Sequence, residues 1–299
     1  NGDLAVPPVP GQPTFTQSGI GLSTGHTEIL VGAGPFTSAY VSVAMGAGGD
    51  LCAVAESNTG DGSDILYIVW DSGSSQWLAP VVLAGESDST GYSNPAIIFD
   101  GTEVIVAYSS GTTLYTMRSV TGDFSGVVPQ AIPDVTVTGS FDMLYAPDDT
   151  VRILYQGYPL VGFTEAVVMV VGSVDLQLGD LVFDPPTEIF ANTSVSYSAP
   201  RLALHQNTIY AMAEDAVGGK LWFSEGDLSG TMSSPETVDM FGDLGAMPGE
   251  YLDLAVTDGG NGASSTLHVC VSTDVGFYYL VRVDDGNGPV WTARVLDET

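Results

Sequence analysis

The most restrictive feature of this sequence is that it repeats itself. From Tyr92 the chain reads YSNPAIIFDG, TEVIVAYSS, GTTLYTMRSVTGD and FSGVVPQAI, four short apolar runs separated by Gly, Asp, Ser and Thr turns. From Tyr197 it reads YSAPRLALHQN, TIYAMAEDAV, GGKLWFSEGDLSG and MSSPETV, with the same Tyr-Ser-x-Pro at the head and Pro-x-x-(Ile/Val) at the tail. Runs of β-branched and aromatic residues between turn formers read as strands. A unit that recurs along a chain is a module that buries its faces only against its neighbours.

Looser copies fill the rest: Thr37 to Leu83, Ser140 to Ile189 and Glu250 to Leu296. Ala55, Tyr108, Tyr155, Ala213 and Val271 take matching places on the second strands, 53, 47, 58 and 58 residues apart. Propeller blades of four strands need roughly 40 to 50 residues. The expected fold is therefore all-β, a β-propeller of about five four-stranded blades, near 37–83, 92–132, 140–189, 197–238 and 250–296. Residues 14–299 would form a single propeller domain. Within it, 14–33, with its TEILVGA run, would supply a closing strand or a partial sixth blade. The Pro-rich residues 1–13 read as an extended linker left by processing.

Two details support stacked blades. VIVAY, IYAMA, LCAVA and LHVCV are apolar on both faces, which suits sheets covered on both sides. Pro80, Pro129, Pro186 and Pro235 fall in the fourth runs, where an outer edge tolerates a missing N–H.

The order Tyr-Ser-x-Pro, a strand ending near Ala-Tyr, an aromatic Leu-Tyr strand, then a Gly/Asp turn and a Trp resembles the blades of sialidase-like propellers and their Asp-box relatives. Asp71-Ser72-Gly73-Ser74-Ser75-Gln76-Trp77 is a degenerate Asp-box turn with one residue too many before the Trp, and Asp285 to Trp291 is looser still. The resemblance implies a propeller, but not sialidase activity. That family clamps its substrate with three arginines and carries Arg-Ile-Pro, which is absent. Of the five arginines, Arg118 and Arg282 fall on third strands and Arg294 on a fourth, away from the axis.

Charge excludes other classes. Against 36 Asp and Glu stand 6 Lys and Arg, a formal net charge of -30. Such a surface repels phosphate backbones and anionic membranes, so nucleic acid is not an expected partner. The acidity suits an exported protein kept soluble by its charge, at a cell surface or in an extracellular matrix. No run reaches the ~18 to 20 apolar residues of a membrane span. Cys52 and Cys270 lie in apolar runs and are expected as buried thiols rather than a bridge.

Candidate chemistry lies among the acids and aromatics. Glycoside hydrolysis needs two carboxylates about 5 to 9.5 Å apart, and five-bladed glycosidases of the arabinanase type, which this architecture resembles, place them on innermost strands. Asp142 and Asp253 are expected to open first strands. Glu56 and Glu214 are expected to end second strands at equivalent positions, facing one mouth of the channel. Tyr92, Tyr197 and Tyr251 recur near the heads of first strands, where rings pack in the core or meet a sugar face. Asp61 and Asp64 in the Asn58–Asp64 loop offer oxygen ligands for calcium, the one cofactor suggested, though such residues also make ordinary turns. The three histidines are scattered, and no Gly-x-Ser-x-Gly or His-Glu-x-x-His appears. The expected function is a non-catalytic propeller recognising a glycan or a surface protein. A secreted glycoside hydrolase or lyase and an architectural subunit of a surface assembly are the alternatives.

Overall fold

The computed structural model describes residues 41–45, 51–58, 63–74, 76–85, 92–100, 102–159, 164–175, 180–238, 248–257, 265–273, 276–284 and 289–298. The linker 1–13, the segment 14–33 and Asp61 lie outside them. Among the described residues every regular element is a strand, and no helix is long and apolar enough to cross a membrane.

The strands form five antiparallel sheets that follow one another along the chain, each with its first strand at one edge. This is the propeller arrangement read from the repeat. The first sheet holds β1 (Val41–Met45), β2 (Leu51–Asn58), β3 (Ser63–Asp71), β4 (Gln76–Trp77) and β5 (Val81–Ala84). The second holds β6 (Tyr92–Phe99), β7 (Val104–Ser110), β8 (Thr113–Ser119) and β9 (Gln130–Ala131). The third holds β10 (Thr136–Ala146), β11 (Thr150–Tyr158), β12 (Ala166–Val174), β13 (Leu181–Phe183) and β14 (Thr187–Phe190). The fourth holds β15 (Tyr197–His205), β16 (Thr208–Asp215), β17 (Lys220–Asp227) and β18 (Glu236–Val238). The fifth holds β19 (Pro248–Thr257), β20 (Thr266–Thr273), β21 (Gly276–Asp284) and β22 (Pro289–Glu298).

In the first and third sheets the fourth strand is broken in two: β4 and β5 both pair with β3, and β13 and β14 both pair with β12. The prolines explain where outer strands begin. Pro80, Pro129, Pro186 and Pro235 each stand immediately before the outer segment, not inside it, and Pro289 is the first residue of β22. A residue without an N–H can precede a ladder that it could not continue. The degenerate Asp-box sequence makes the β3–β4 hairpin. Asp71 Oδ1 accepts the Gly73 N–H at 3.0 Å, and Trp70 pairs with Trp77, their rings edge to face.

The chain divides into two compact units, Asn1–Ala131 and Ile132–Thr299. In the first, the core between its two sheets is built from Val54, Ile65, Tyr67, Val106, Tyr108 and Met117. In the second, Leu154, Val167, Met169, Phe190 and Tyr197 pack against Ile209 and Ala211, while Met212, Phe223, Leu252, Val269 and Leu280 fill the next gap. The second-strand residues Ala55, Tyr108, Tyr155, Ala213 and Val271 are all buried.

The Tyr-Ser-x-Pro motif is a bulge. Its third residue takes a left-handed backbone, φ 51° at Asn94 and 45° at Ala199, and the strand slips by a residue between Ser93 and Ala96 and between Ser198 and Arg201. Related slips occur between Val137 and Phe141 and between Pro248 and Leu252. Bulges re-aim the strand that carries them. Here they recur at the same end of successive first strands.

Candidate functional site

A first strand pairs on one side only, so every second N–H along its inner edge needs an acceptor from elsewhere. The preceding sheet supplies it. In Asn1–Ala131, Ser42 Oγ of β1 accepts the Ile97 N–H of β6 at 3.2 Å. In Ile132–Thr299, Asp142 Oδ2 of β10 accepts the Leu202 N–H of β15 at 2.8 Å. These positions match in register: Ser42 stands opposite Val54, Ile97 opposite Val106, Asp142 opposite Leu154 and Leu202 opposite Ala211. Asp253 of β19, opposite Cys270, holds the same place in the fifth sheet.

Asp142 is thus a clasp between blades, and it is also the centre of a charged cluster. Its Oδ1 accepts the Met143 N–H at 2.9 Å. Burial pushes its carboxyl above the usual carboxylate range, and the charge of Asp253 pushes the same way, against the Arg201 guanidinium and the two N–H donors. Arg201 sits on β15 directly after the bulge and donates one bond to Pro200 O at 2.8 Å. Asp253 is exposed, and its Oδ1 accepts the Leu254 N–H at 2.9 Å. The Cys270 thiol is pushed up, first by burial and then by the Asp253 charge. Three successive inner strands, β10, β15 and β19, therefore bring together Asp142, Arg201, Asp253 and, one strand out, Cys270.

The other candidate acids take different places. Glu56 is 8% exposed and accepts the backbone N–H of Asn94, at the bulge of the next sheet. Burial raises its carboxyl. Glu214 is 1% exposed and accepts from Ser198 Oγ at 3.4 Å, across the same pair that Ser93 and Ser109 make in the second sheet. Glu56 lies two residues beyond Val54, which stands opposite Ser42, and Glu214 two residues beyond Met212, which stands opposite Arg201. Successive residues of a strand face opposite sides, so Glu56 shares the Val54 face, which packs towards the second sheet, and Glu214 the Met212 face, which packs towards the fifth.

Among the tyrosines, Tyr197 is completely buried, with its ring stacked on Phe190 and edge to face with Trp222. Burial raises its hydroxyl to about 12, with the Asp215 charge adding to this. It is a core residue, not a sugar contact. Tyr92 is half-buried against Tyr108. Tyr251 lies in β19, but its side chain is outside what is described. Asp64 is half-buried in β3, and its partner in the calcium expectation, Asp61, is outside the described residues. Among the described residues no group of three or more His, Cys, Asp and Glu is placed to hold a metal.

Cys52 and Cys270 are free, as expected, but only Cys52 is buried. Cys270, opposite Asp253 of β19, is exposed. Arg118, Arg282 and Arg294 lie on β8, β21 and β22, off the inner edge. Arg152 is a buried inter-blade contact, donating to Asp148 and to Leu228 O. Arg201, the one inner-strand arginine among the described residues, was visible only as the residue that follows Tyr-Ser-Ala-Pro.

Among solved structures the chain is similar to an α-L-arabinofuranosidase from Fusarium graminearum, with TM-score 0.58, 11% identity, and 85% of this chain and 79% of that one covered. It is similar to a sialidase from Streptococcus pneumoniae, with TM-score 0.56, 10% identity, and 86% of this chain covered. A protein from Lactobacillus plantarum aligns with TM-score 0.51 and 15% identity, over 86% of this chain and 70% of that one. The fold of this chain is that of the sialidase-like propellers. The chain spans 61% of the sialidase, under two thirds of its length. No protein-family model and no curated protein matches the sequence. At these identities the likeness is one of fold, and propellers host unrelated functions.

Proposed function

We propose that this chain is an exported, carbohydrate-recognising propeller that binds its glycan without cleaving it, through Asp142, Arg201 and Asp253 on the inner edges of β10, β15 and β19. The observation that carries this reading is how the four acids suited to hydrolysis are used. Glu56 and Glu214 are withdrawn from solvent, and Asp142 is engaged as a clasp by two backbone N–H groups, so Asp253 is the exposed carboxylate of the set. Cleavage of a glycosidic bond asks for two carboxylates that both reach the substrate. One exposed carboxylate beside a guanidinium instead supplies acceptors and donors for vicinal hydroxyls. The fold's likeness to an arabinofuranosidase and a sialidase supports a sugar ligand over a protein one. The acidic surface supports a neutral or cationic glycan, outside the cell and at its surface.

A second reading has its own observation. A carboxyl held above its usual range with a second carboxylate acting on it resembles a glycosidase acid and its partner, and Asp142, which the charge of Asp253 helps to raise, has that pattern. The test separates the two. Glycan binding and reducing-end release are measured together for the wild type, Asp142→Asn and Asp253→Asn, with and without calcium. Binding without release, lost in Asp253→Asn, supports recognition. Release that both variants abolish supports hydrolysis and ends the first reading. A calcium requirement for binding would point to Asp61 and Asp64 as a cation site of their own.

A further inference from the structure

The third sheet carries a second concavity, separate from the inner edge. A cavity of about 200 Å³ opens at the end where β11 finishes, β12 begins and β14 leads into β15. Among its walls are Thr164, Glu165 and Ala166 from the start of β12, Glu188 from β14, and Asn192 and Thr193 from the turn before β15. This is the bulged end of the sheet, the end at which Val137 slips past Phe141.

The lining is prearranged. Glu165 Oε1 accepts from Thr138 Oγ1 at 2.5 Å and from Gln156 Nε2 at 3.0 Å, so neighbours on β10 and β11 fix the carboxylate before any ligand arrives. Asn192 is fixed too: its Oδ1 accepts the Ser194 N–H and its carbonyl accepts the Val195 N–H, both at 3.0 Å. Neither bond uses the Asn192 amide donors. The cavity therefore presents two carboxylates, an amide and two hydroxyls, with no Lys, Arg or aromatic ring among the described residues of its wall.

Its volume is below the roughly 300 to 1,000 Å³ of sites for drug-sized ligands, so it suits a single small residue of a longer molecule. Two acids facing one small volume repel each other unless a cation comes between them. An ammonium there would make charge-assisted hydrogen bonds to both, and the field of a chain with net charge -30 gathers cations at such a mouth. The hydroxyls and amide match a ligand that carries hydroxyls beside its amine. We propose that this cavity is a binding subsite for the protonated free amine of an amino sugar, held between Glu165 and Glu188 with Asn192 and the threonines on its hydroxyls. The subsite does not depend on the inner-edge site, since it uses none of its residues.

The test is calorimetric titration of the full chain, at about pH 6 and low salt, with a β-1,4-linked glucosamine tetramer and with its N-acetylated counterpart. The free-amine tetramer should bind at least about tenfold more tightly, because acetylation removes the charge that the carboxylates recognise. Glu188→Gln should cost about the same factor, with an unchanged melting temperature, since Glu188 is exposed on an outer strand. Glu165→Gln should weaken binding likewise, and Asp253→Asn should leave it unaltered. Equal affinity for the acetylated tetramer, wild-type affinity in Glu188→Gln, or no binding of either tetramer would overturn the assignment. So would binding of Nα-acetyl-lysine amide as tight as that of the sugar, which would make the cavity a general amine site.

Discussion

Replacing Asp142 with Ala removes the acceptor of the Leu202 N–H on the inner edge of β15. An orphaned buried donor costs about 1–3 kcal/mol, and a hydrogen bond to a charged acceptor is worth about 1.5–3 kcal/mol. Asp142 is only half-buried, so water can reach part of the gap, which places the expected loss near 2 kcal/mol. For a unit of this size that is roughly 4–8 °C in melting temperature. Asp142→Asn keeps a carbonyl acceptor and should lose about half as much. The charge adds a pH signature. The folded-state pKa lies above the unfolded one, so the folded chain holds the proton more tightly. The stability contributed by this group is complete below the unfolded value of about 3.9 and is lost as pH rises through the folded value. Asn has no such loss, so the gap between wild type and Asp142→Asn should narrow as pH rises from about 4. Denaturant melts at several pH values measure this. The clasp argument is wrong if Asp142→Ala melts within a degree or so of the wild type, or if Asn is worse than Ala.

Other consequences can be checked on the same material. Ser42→Ala, which removes a neutral acceptor at 3.2 Å in the equivalent position, should cost about 1 kcal/mol in urea melts. Tyr197→Phe should be neutral or slightly stabilising, since the buried hydroxyl has no hydrogen-bond partner among the described residues, whereas Tyr197→Ala should cost about 3–5 kcal/mol. Asn94→Ala should destabilise by about 1 kcal/mol, because φ 51° suits Asn better than Ala, and Asn94→Gly should be close to neutral. Cys270, with its thiol pushed up by burial and by Asp253, should alkylate slowly near neutral pH and faster in Asp253→Asn, while Cys52 should react only on unfolding.

The repeat was legible because blade strands are short, both-sided and punctuated, so their period survives in one sequence. Tyr-Ser-x-Pro marked the heads of two blades correctly, but its meaning as a bulge needed the backbone, since nothing in the letters says that Asn94 and Ala199 turn left-handed. The prolines pointed to outer strands, yet each marks a start rather than an interior. Asp142 and Asp253 could be picked out as inner-strand acids, because they sit at like places in apolar runs. They do not open their strands as expected: β10 and β19 begin several residues earlier, at Thr136 and Pro248, ahead of the slips. Their meeting with Arg201 could not be picked out, because it depends on which first strands become neighbours. Tyr197 was open to a core or a ligand reading because the sequence does not say which side of a strand a ring faces. The cavity at Glu165 and Glu188 draws on a strand start and an outer strand that are far apart in the repeat, and no local pattern links them.

The most direct test of glycan recognition without cleavage is a glycan-array screen of the purified chain, paired with reducing-end release on every glycan that binds. The account predicts saturable binding to at least one neutral or amine-bearing glycan, loss of inner-edge binding in Asp253→Asn, and no release above the protein-free control. Release that disappears with Asp142→Asn or Asp253→Asn would contradict it and make these two carboxylates the machinery of a glycoside hydrolase.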